Sequence, residues 1–131
     1  MKINHIGIVV KDIEKSVRYY GDFFGFKKVS DIFYDENQKV NVVFLKSECK
    51  DYVFELIEPV GKDSPVNNSL KKGGGLNHIC YEVKDIKKTI EELKEKGGRL
   101  ISGPSYANAF EGKKIAFFYT KNREVIELVE K

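Results

Sequence analysis

The feature that most constrains this chain is an internal repeat of two short segments. Asn4-His5-Ile6 followed by Val10-Lys11-Asp12-Ile13 recurs as Asn77-His78-Ile79 followed by Val83-Lys84-Asp85-Ile86. A second segment, VFELIE at 53–58, recurs as VIELVE at 125–130. The offsets are 78 − 5 = 73 for the histidines and 127 − 55 = 72 for the glutamates. Both matches fit one duplication, so we predict a single domain over 1–131 with half-modules at 1–66 and 75–131, joined by a linker at 67–74.

Each half shows the same order of predicted elements. In the first half, a strand at 3–10 precedes a helix that Asp12 caps and Gly25 ends, and strands are expected near 26–34, 40–46 and 52–58. In the second half, a strand at 76–83 precedes an Asp85-capped helix, with strands near 99–102, 114–119 and 124–129. The fold class predicted is α+β: two βαβββ half-modules related by an internal pseudo-twofold, whose curled mixed sheets form a cleft.

Composition and charge narrow the possible partners. The 23 basic and 20 acidic residues are interspersed, and no nucleic-acid-binding motif is present, so nucleic acid is not an expected partner. No apolar run approaches the roughly 20 residues that a membrane span requires. Cys49 and Cys80 lack CxxC spacing and are expected to be free thiols in a reducing compartment. The chain is therefore expected to be cytoplasmic.

Four residues are candidate metal ligands. His5 alternates with the apolar residues of its strand, and His78 holds the same place in the second half. Glu55 and Glu127 each project from a strand of apolar neighbours, where a carboxylate is costly to bury without a positive partner. Two imidazoles and two carboxylates suit a first-row divalent ion. We therefore predict that His5, Glu55, His78 and Glu127 bind one metal ion in the cleft.

Other repeated or aromatic residues are expected to lie outside this site. Glu58 and Glu130 also recur, but strand alternation turns them to the opposite face, at the rim or surface. The helix aromatics are expected to pack between helix and sheet; they are Tyr19, Tyr20, Phe23 and Phe24. Tyr106 and Phe110, in a predicted loop at 103–112, are candidates to border the cleft.

The repeated His-strand and Glu-strand, with a helix ending at Tyr20…Phe24-Gly25-Phe26, resemble the vicinal-oxygen-chelate superfamily over nearly the whole chain. Its methylmalonyl-CoA epimerases are the most similar branch, and glyoxalase I (lactoylglutathione lyase) follows. The stretches that carry the branch resemblance are ELIEP at 55–59, DSPV at 63–66, GGLNHI at 74–79, GKKIAF at 112–117 and IEL at 126–128.

The resemblance implies a divalent-metal-dependent isomerase that abstracts a proton next to a carbonyl. It implies that His5, Glu55, His78 and Glu127 are metal ligands and that Glu127 exchanges protons with the substrate. Glu55 is the second catalytic carboxylate that we predict from the sequence. The metal expected is Co, Ni, Zn or Mn, with Fe less favoured, and the substrate is an acyl-CoA or a hemithioacetal. A homodimer is expected, because small members of the superfamily commonly pair.

Three alternative functions are compatible with the same pattern. A glyoxalase I-like enzyme would use the same metal ligands. An Fe(II) extradiol-type dioxygenase needs two histidines and one carboxylate with open positions for oxygen, and Glu55 as a fourth ligand argues against it. A non-catalytic small-molecule binding protein would not need the metal ligands. On the strand at 40–46 no acid is present, so a second proton carrier would be Glu55, Glu36 or a water molecule.

Overall fold

The computed structural model describes residues 1–49, 51–107 and 110–131 as a mixed α+β fold, which confirms the predicted class. The chain forms two compact units. His5–Asn77 make up the N-terminal unit, and His78–Lys131 together with Met1–Asn4 make up the C-terminal unit. Among the described residues, no helix is long and apolar enough to cross a membrane.

The N-terminal unit contains one sheet with a helix on one face. Strand order is β2-β4-β5-β1, with β3 paired to β4, and β1 runs parallel to β5 while β4 is antiparallel to it. The segment predicted as one strand at 26–34 is instead two short pieces, β2 and β3. The bounds are β1 (Lys2–Val9), α1 (Ile13–Phe24), β2 (Lys27–Lys28), β3 (Phe33–Asp35), β4 (Val40–Lys46), β5 (Val53–Pro59) and α2 (Asn67–Lys71).

The C-terminal unit repeats this plan with four strands in the order β6-β9-β8-β7. Strand β6 runs parallel to β9, as β1 does to β5. The prediction of a loop at 103–112 is wrong for residues 103–107. Strand β7 continues to Ala107 and remains paired with β8 after two shifts of register. The bounds are β6 (Gly75–Val83), α3 (Ile86–Glu95), β7 (Arg99–Ala107), β8 (Lys113–Tyr119) and β9 (Val125–Glu130).

Both long helices begin where the sequence predicts, and α1 also ends at the predicted residue. Asp12 accepts a hydrogen bond from the Lys15 N–H at the start of α1, and Asp85 accepts one from Lys88 at the start of α3. Helix α1 ends at Gly25, whose φ of 74° is the left-handed conformation that favours glycine. These caps fix where α1 and α3 begin and where α1 ends.

The sheet of each unit has one face that packs against a helix and an opposite face. In the N-terminal unit, Leu56 and Leu45 pack with Ile13 of α1, and Val17 and Tyr20 lie against the same cluster. Burial, and then the neighbouring Tyr19, raise the pKa of Tyr20. In the C-terminal unit, the corresponding cluster joins α3 to the sheet. Its buried members are Val83, Ile86, Ile90, Ala116, Phe118 and Leu128.

The prediction that all four α1 aromatics pack between helix and sheet is wrong for three of them. Tyr19 is 55% exposed, Phe23 68% and Phe24 52%. Of the four rings, only Tyr20 packs against the buried cluster that contains Ile13. Tyr19 and Phe23 stack on each other, and Phe24 meets both of them edge-on outside this cluster. Phe24 continues the helical stripe of Ile13, Val17 and Tyr20, but it is the last residue of α1 and is exposed there.

Glu58 and Glu130 have a defined structural role on the helix-packed face. One carboxylate oxygen of Glu58 accepts the Ile13 N–H at 2.8 Å, and Glu130 accepts the Ile86 N–H at 2.9 Å. Each carboxylate thus binds the first N–H of a helix, which has no partner within the helix. The prediction that these residues face away from Glu55 and Glu127 is correct, but they are anchors of the helices and not only rim residues.

We expect Glu58→Ala and Glu130→Ala each to lower the free energy of unfolding by about 1–2 kcal/mol, because each removes a carboxylate from a helix N-terminus. Urea denaturation followed by circular dichroism measures the change. The control is Glu95→Ala, at an exposed position in the last turn of α3, which should leave the midpoint nearly unchanged. Equal midpoints for the Glu58 variant and the control would contradict the anchoring role.

Candidate metal centre

The first histidine–glutamate pair lies on the face of the N-terminal sheet opposite α1. His5 projects from β1 and is fully buried, and Glu55 projects from the neighbouring strand β5 and is 7% exposed. The His5 Nε2 atom lies 3.6 Å from a Glu55 carboxylate oxygen. Two residues that are 50 positions apart in the chain are therefore brought together by one parallel strand pair, as the alternation of both strands predicts.

The second pair repeats this arrangement in the C-terminal unit. His78 projects from β6 and is 4% exposed, and Glu127 projects from β9 and is 3% exposed. The His78 Nε2 atom lies 3.0 Å from a Glu127 carboxylate oxygen, within hydrogen-bond distance. The structure thus joins the four predicted residues as two buried pairs of the same composition, one in each unit.

A phenylalanine completes each pair and was missed by the sequence analysis. Phe44 is the cross-strand partner of Glu55, and its ring contacts His5 edge-on at a centroid distance of 5.5 Å. Phe117 is the partner of Glu127 and contacts His78 in the same way at 5.8 Å. The repeat contains the signal, because 117 − 44 = 73 is the offset of the two histidines. Each buried imidazole therefore packs edge-on against a phenylalanine ring of the same sheet.

On the N-terminal unit's histidine face, Glu55 has no second carboxylate from the neighbouring strands. The β4 residues on this face are Val40, Val42, Phe44 and Lys46, and the two valines form an apolar cluster with Val9 and Ile57. Among the described residues of β1, β4 and β5 on this face, Glu55 is the one acid. Glu55 is therefore the carboxylate that this part of the sheet offers as a proton carrier.

The chemistry of the donors fits a divalent metal ion. A buried carboxylate is strongly destabilised unless a positive charge is near it, and a neutral histidine supplies none. A divalent ion between imidazole nitrogen and carboxylate oxygen would supply that charge, and this mixture of N and O ligands suits Co, Ni, Zn, Mn or Fe ions. The residues present therefore fit the metal that the sequence predicts.

Tyr106 and Phe110, the candidates to border the site, lie in or beside strand β7. Tyr106 is 71% exposed and its ring centroid is 6.0 Å from the Lys114 ammonium nitrogen. Phe110 follows residues 108–109, which lie outside the described part of the chain, and is half-buried. Contact of either ring with a ligand stays a prediction.

Comparison with known proteins places this architecture in a family. A sequence model of the Glyoxalase/Bleomycin resistance protein/Dioxygenase superfamily matches residues 4–117. The chain belongs to this superfamily. The match begins beside His5 and includes Glu55, His78 and Phe117, so three of the four proposed ligands lie within it.

Individual relatives of the superfamily include epimerases and a lyase. An ethylmalonyl-CoA/methylmalonyl-CoA epimerase of Cereibacter sphaeroides is 32% identical over 123 residues, which cover 92% of this chain and 90% of that protein. The lactoylglutathione lyase of Schizosaccharomyces pombe is 29% identical over 145 residues, covering 98% of this chain but 47% of that protein.

A solved structure agrees with these sequence relationships. A variant methylmalonyl-CoA epimerase of Streptomyces coelicolor, in complex with 2-nitronate-propionyl-CoA, aligns with a TM-score of 0.85 and 28% identity. The alignment covers 100% of this chain and 94% of that one. The chain fits an epimerase-type enzyme of the superfamily, as its sequence predicts.

Proposed function

We propose that this chain is a divalent-metal-dependent epimerase that inverts the carbon next to the thioester carbonyl of methylmalonyl-CoA. The observation that carries the proposal is the buried histidine–glutamate pair that occurs once in each unit, at 3.6 Å and 3.0 Å. His5, Glu55, His78 and Glu127 would together hold one ion. The two epimerases named above, from Cereibacter sphaeroides and Streptomyces coelicolor, support the choice of reaction and substrate.

Removal of the substrate's α-proton is the chemical difficulty of this reaction. A C–H bond beside a thioester is too weak an acid to ionise unaided, and a bound divalent ion supplies Lewis-acid stabilisation of the charge that develops on the carbonyl oxygen. Glu127 would accept the α-proton from one face of the carbon as a general base and, in the reverse reaction, donate a proton to that same face as a general acid. Its burial keeps bulk water away, and the His78 contact fixes which carboxylate oxygen faces the histidine.

Inversion also requires a proton carrier on the opposite face of the planar carbon. Glu55 is proposed for this role, because the neighbouring β4 residues Val42 and Phe44 offer no acid. Glu55 is buried and in register with Phe44, so its side chain is held and not free to sample solvent. Each glutamate would therefore serve as a metal ligand and as a proton carrier for one face of the substrate.

A lactoylglutathione lyase-type reaction is the second candidate. The similarity to a lyase favours it, and it needs the same histidines and carboxylates and the same movement of a proton next to a carbonyl. The substrate distinguishes the two, because a hemithioacetal of glutathione would replace the acyl-CoA. A homodimer and a cytoplasmic location stay predictions, and light scattering of the purified protein measures the first of them.

The proposal is tested by metal content and α-proton exchange on one protein sample. Elemental analysis should find about one Co, Ni, Zn or Mn ion per chain, and proton NMR in D₂O should show loss of the α-proton signal of methylmalonyl-CoA. Chelation should stop the exchange, and adding the ion back should restore it.

Other results of these two measurements would contradict either the proposed reaction or the proposed metal site. Metal without exchange on methylmalonyl-CoA, but with turnover of the methylglyoxal–glutathione hemithioacetal, would support the lyase-type reaction instead. Failure of the protein to hold any divalent ion would overturn the metal site. A matched control for the metal measurement is Cys49→Ala, which removes an exposed thiol and should leave metal content unchanged.

A further inference from the structure

The two histidine–glutamate pairs differ at one neighbouring position. In the parallel registers, the Cα partner of Glu55 is Gly7, and the Cα partner of Glu127 is Cys80. The two positions are equivalent in the repeat, because 80 − 7 = 73 is also the offset of the histidines. At this one position the N-terminal unit has no side chain, because the residue is Gly7, whereas the C-terminal unit has a thiol.

The thiol lies on the same side of the sheet as the proposed ligands. Cys80 follows His78 by two residues on β6, so the two side chains project from the same face. Its sulfur lies within 4.8 Å of a Glu127 carboxylate oxygen, and the residue is fully buried. It forms no disulfide. In the C-terminal unit, the Glu127 carboxylate therefore lies close both to the His78 imidazole and to the Cys80 thiol.

A sulfur donor changes which ions such a site prefers. Imidazole and carboxylate ligands alone accept most first-row divalent ions, whereas a thiolate selects the softer ones, including Zn²⁺, and disfavours Mn²⁺ and Mg²⁺. Binding of the metal displaces the thiol proton to solvent, so no other reactant is needed. The equivalent residue of the N-terminal unit is Gly7, which has no side-chain donor atom. The sulfur donor, and with it the preference for softer ions, would therefore come from the C-terminal unit.

We propose that Cys80 is a sulfur donor to the metal ion of this site and makes the site selective for thiophilic divalent ions. The inference rests on the metal centre proposed above, and adds to it a fifth protein group that the family resemblance does not imply. Glu127 and Cys80 would then bind the ion together, so the thiol would also restrict how far the Glu127 carboxylate can move during proton transfer.

Cobalt spectroscopy tests this assignment without measuring enzyme activity. The apoprotein is titrated with Co²⁺, and a thiolate ligand gives a charge-transfer band in the near ultraviolet that nitrogen and oxygen ligands do not. The band is expected for the unmodified protein and for Cys49→Ala, and it should be absent from Cys80→Ala and Cys80→Ser. Competition titrations should show that Cys80→Ala weakens Cd²⁺ binding about tenfold or more, with a much smaller effect on Mn²⁺.

The outcomes separate this inference from the proposed function. Co²⁺ binding without the band in the unmodified protein would overturn the sulfur ligand and leave the four-ligand site standing. Absence of any Co²⁺ binding would overturn the metal site and this inference with it. Because the unmodified protein alone gives both results, the test does not depend on the stability of the Cys80 variants.

Discussion

Replacing Glu127 with Gln is expected to slow inversion of methylmalonyl-CoA by about 10²–10⁴-fold, the usual contribution of a general acid–base group. The amide has the shape of the carboxylate and retains an oxygen ligand, but it cannot accept the α-proton. We expect the variant to stop α-proton exchange from the epimer whose proton faces Glu127. The measurement is NMR in D₂O with each epimer supplied separately.

The control for this substitution lies on the same strand. Glu130→Gln changes the same chemical group three residues away, but Glu130 projects from the opposite face and binds the Ile86 N–H. The amide oxygen can still accept that hydrogen bond, so activity should be unchanged. Circular dichroism and metal content establish that both variants are folded and loaded. Full activity in Glu127→Gln would rule out its role as the proton carrier.

The sheet faces of the four proposed ligands were predictable because they depend on local pattern and on duplication. Strand alternation alone places His5 opposite the residues that pack on α1, and the repeat places His78 and Glu127 in the same positions of the second unit. A strand histidine or glutamate taken singly carries little information. Two of each at one offset indicate a shared chemical role, and the structure brings them together as pairs.

The helix boundaries were predictable for a different reason. An aspartate that caps the N-terminus and a glycine that ends the helix act on the backbone of their own turn, so their signal is local. The exposure of Phe23 and Phe24 was not predictable in this way. A helix rich in aromatic residues offers several apolar faces, and the rotation that buries Ile13 and packs Val17 and Tyr20 against the same cluster is decided by the sheet.

Contacts that depend on strand register were also missed by the sequence analysis. Phe44 meets His5 only because β4 pairs with β5 in the register that sets Phe44 opposite Glu55. Glu58 meets Ile13 only because the end of β5 lies beside the start of α1. In both cases the residues are far apart in sequence, and the alternation of a strand does not by itself predict that they are in contact. The repeated offsets of Phe44 with Phe117 would have been the available signal.

Replacing Glu55 with Gln is expected to separate its two proposed roles. The amide oxygen can still bind a divalent ion, so the metal content should be kept, but the side chain can no longer carry a proton. Inversion should fall by about 10²–10⁴-fold. Exchange should persist for the epimer that Glu127 deprotonates and be lost for the other epimer, the reverse of the pattern expected for Glu127→Gln.

The contrast between the two variants tests how one site acts on both faces of a planar carbon. If Glu55→Gln inverts the substrate at the original rate, the second proton comes from elsewhere, with Glu36 and a water molecule as the remaining sources. Glu36→Gln, at an exposed position, then decides between them by the same exchange measurement. If both Glu55→Gln and Glu127→Gln lose the same epimer's exchange, the two carboxylates act on one face, and the enzyme moves a proton without inverting the carbon.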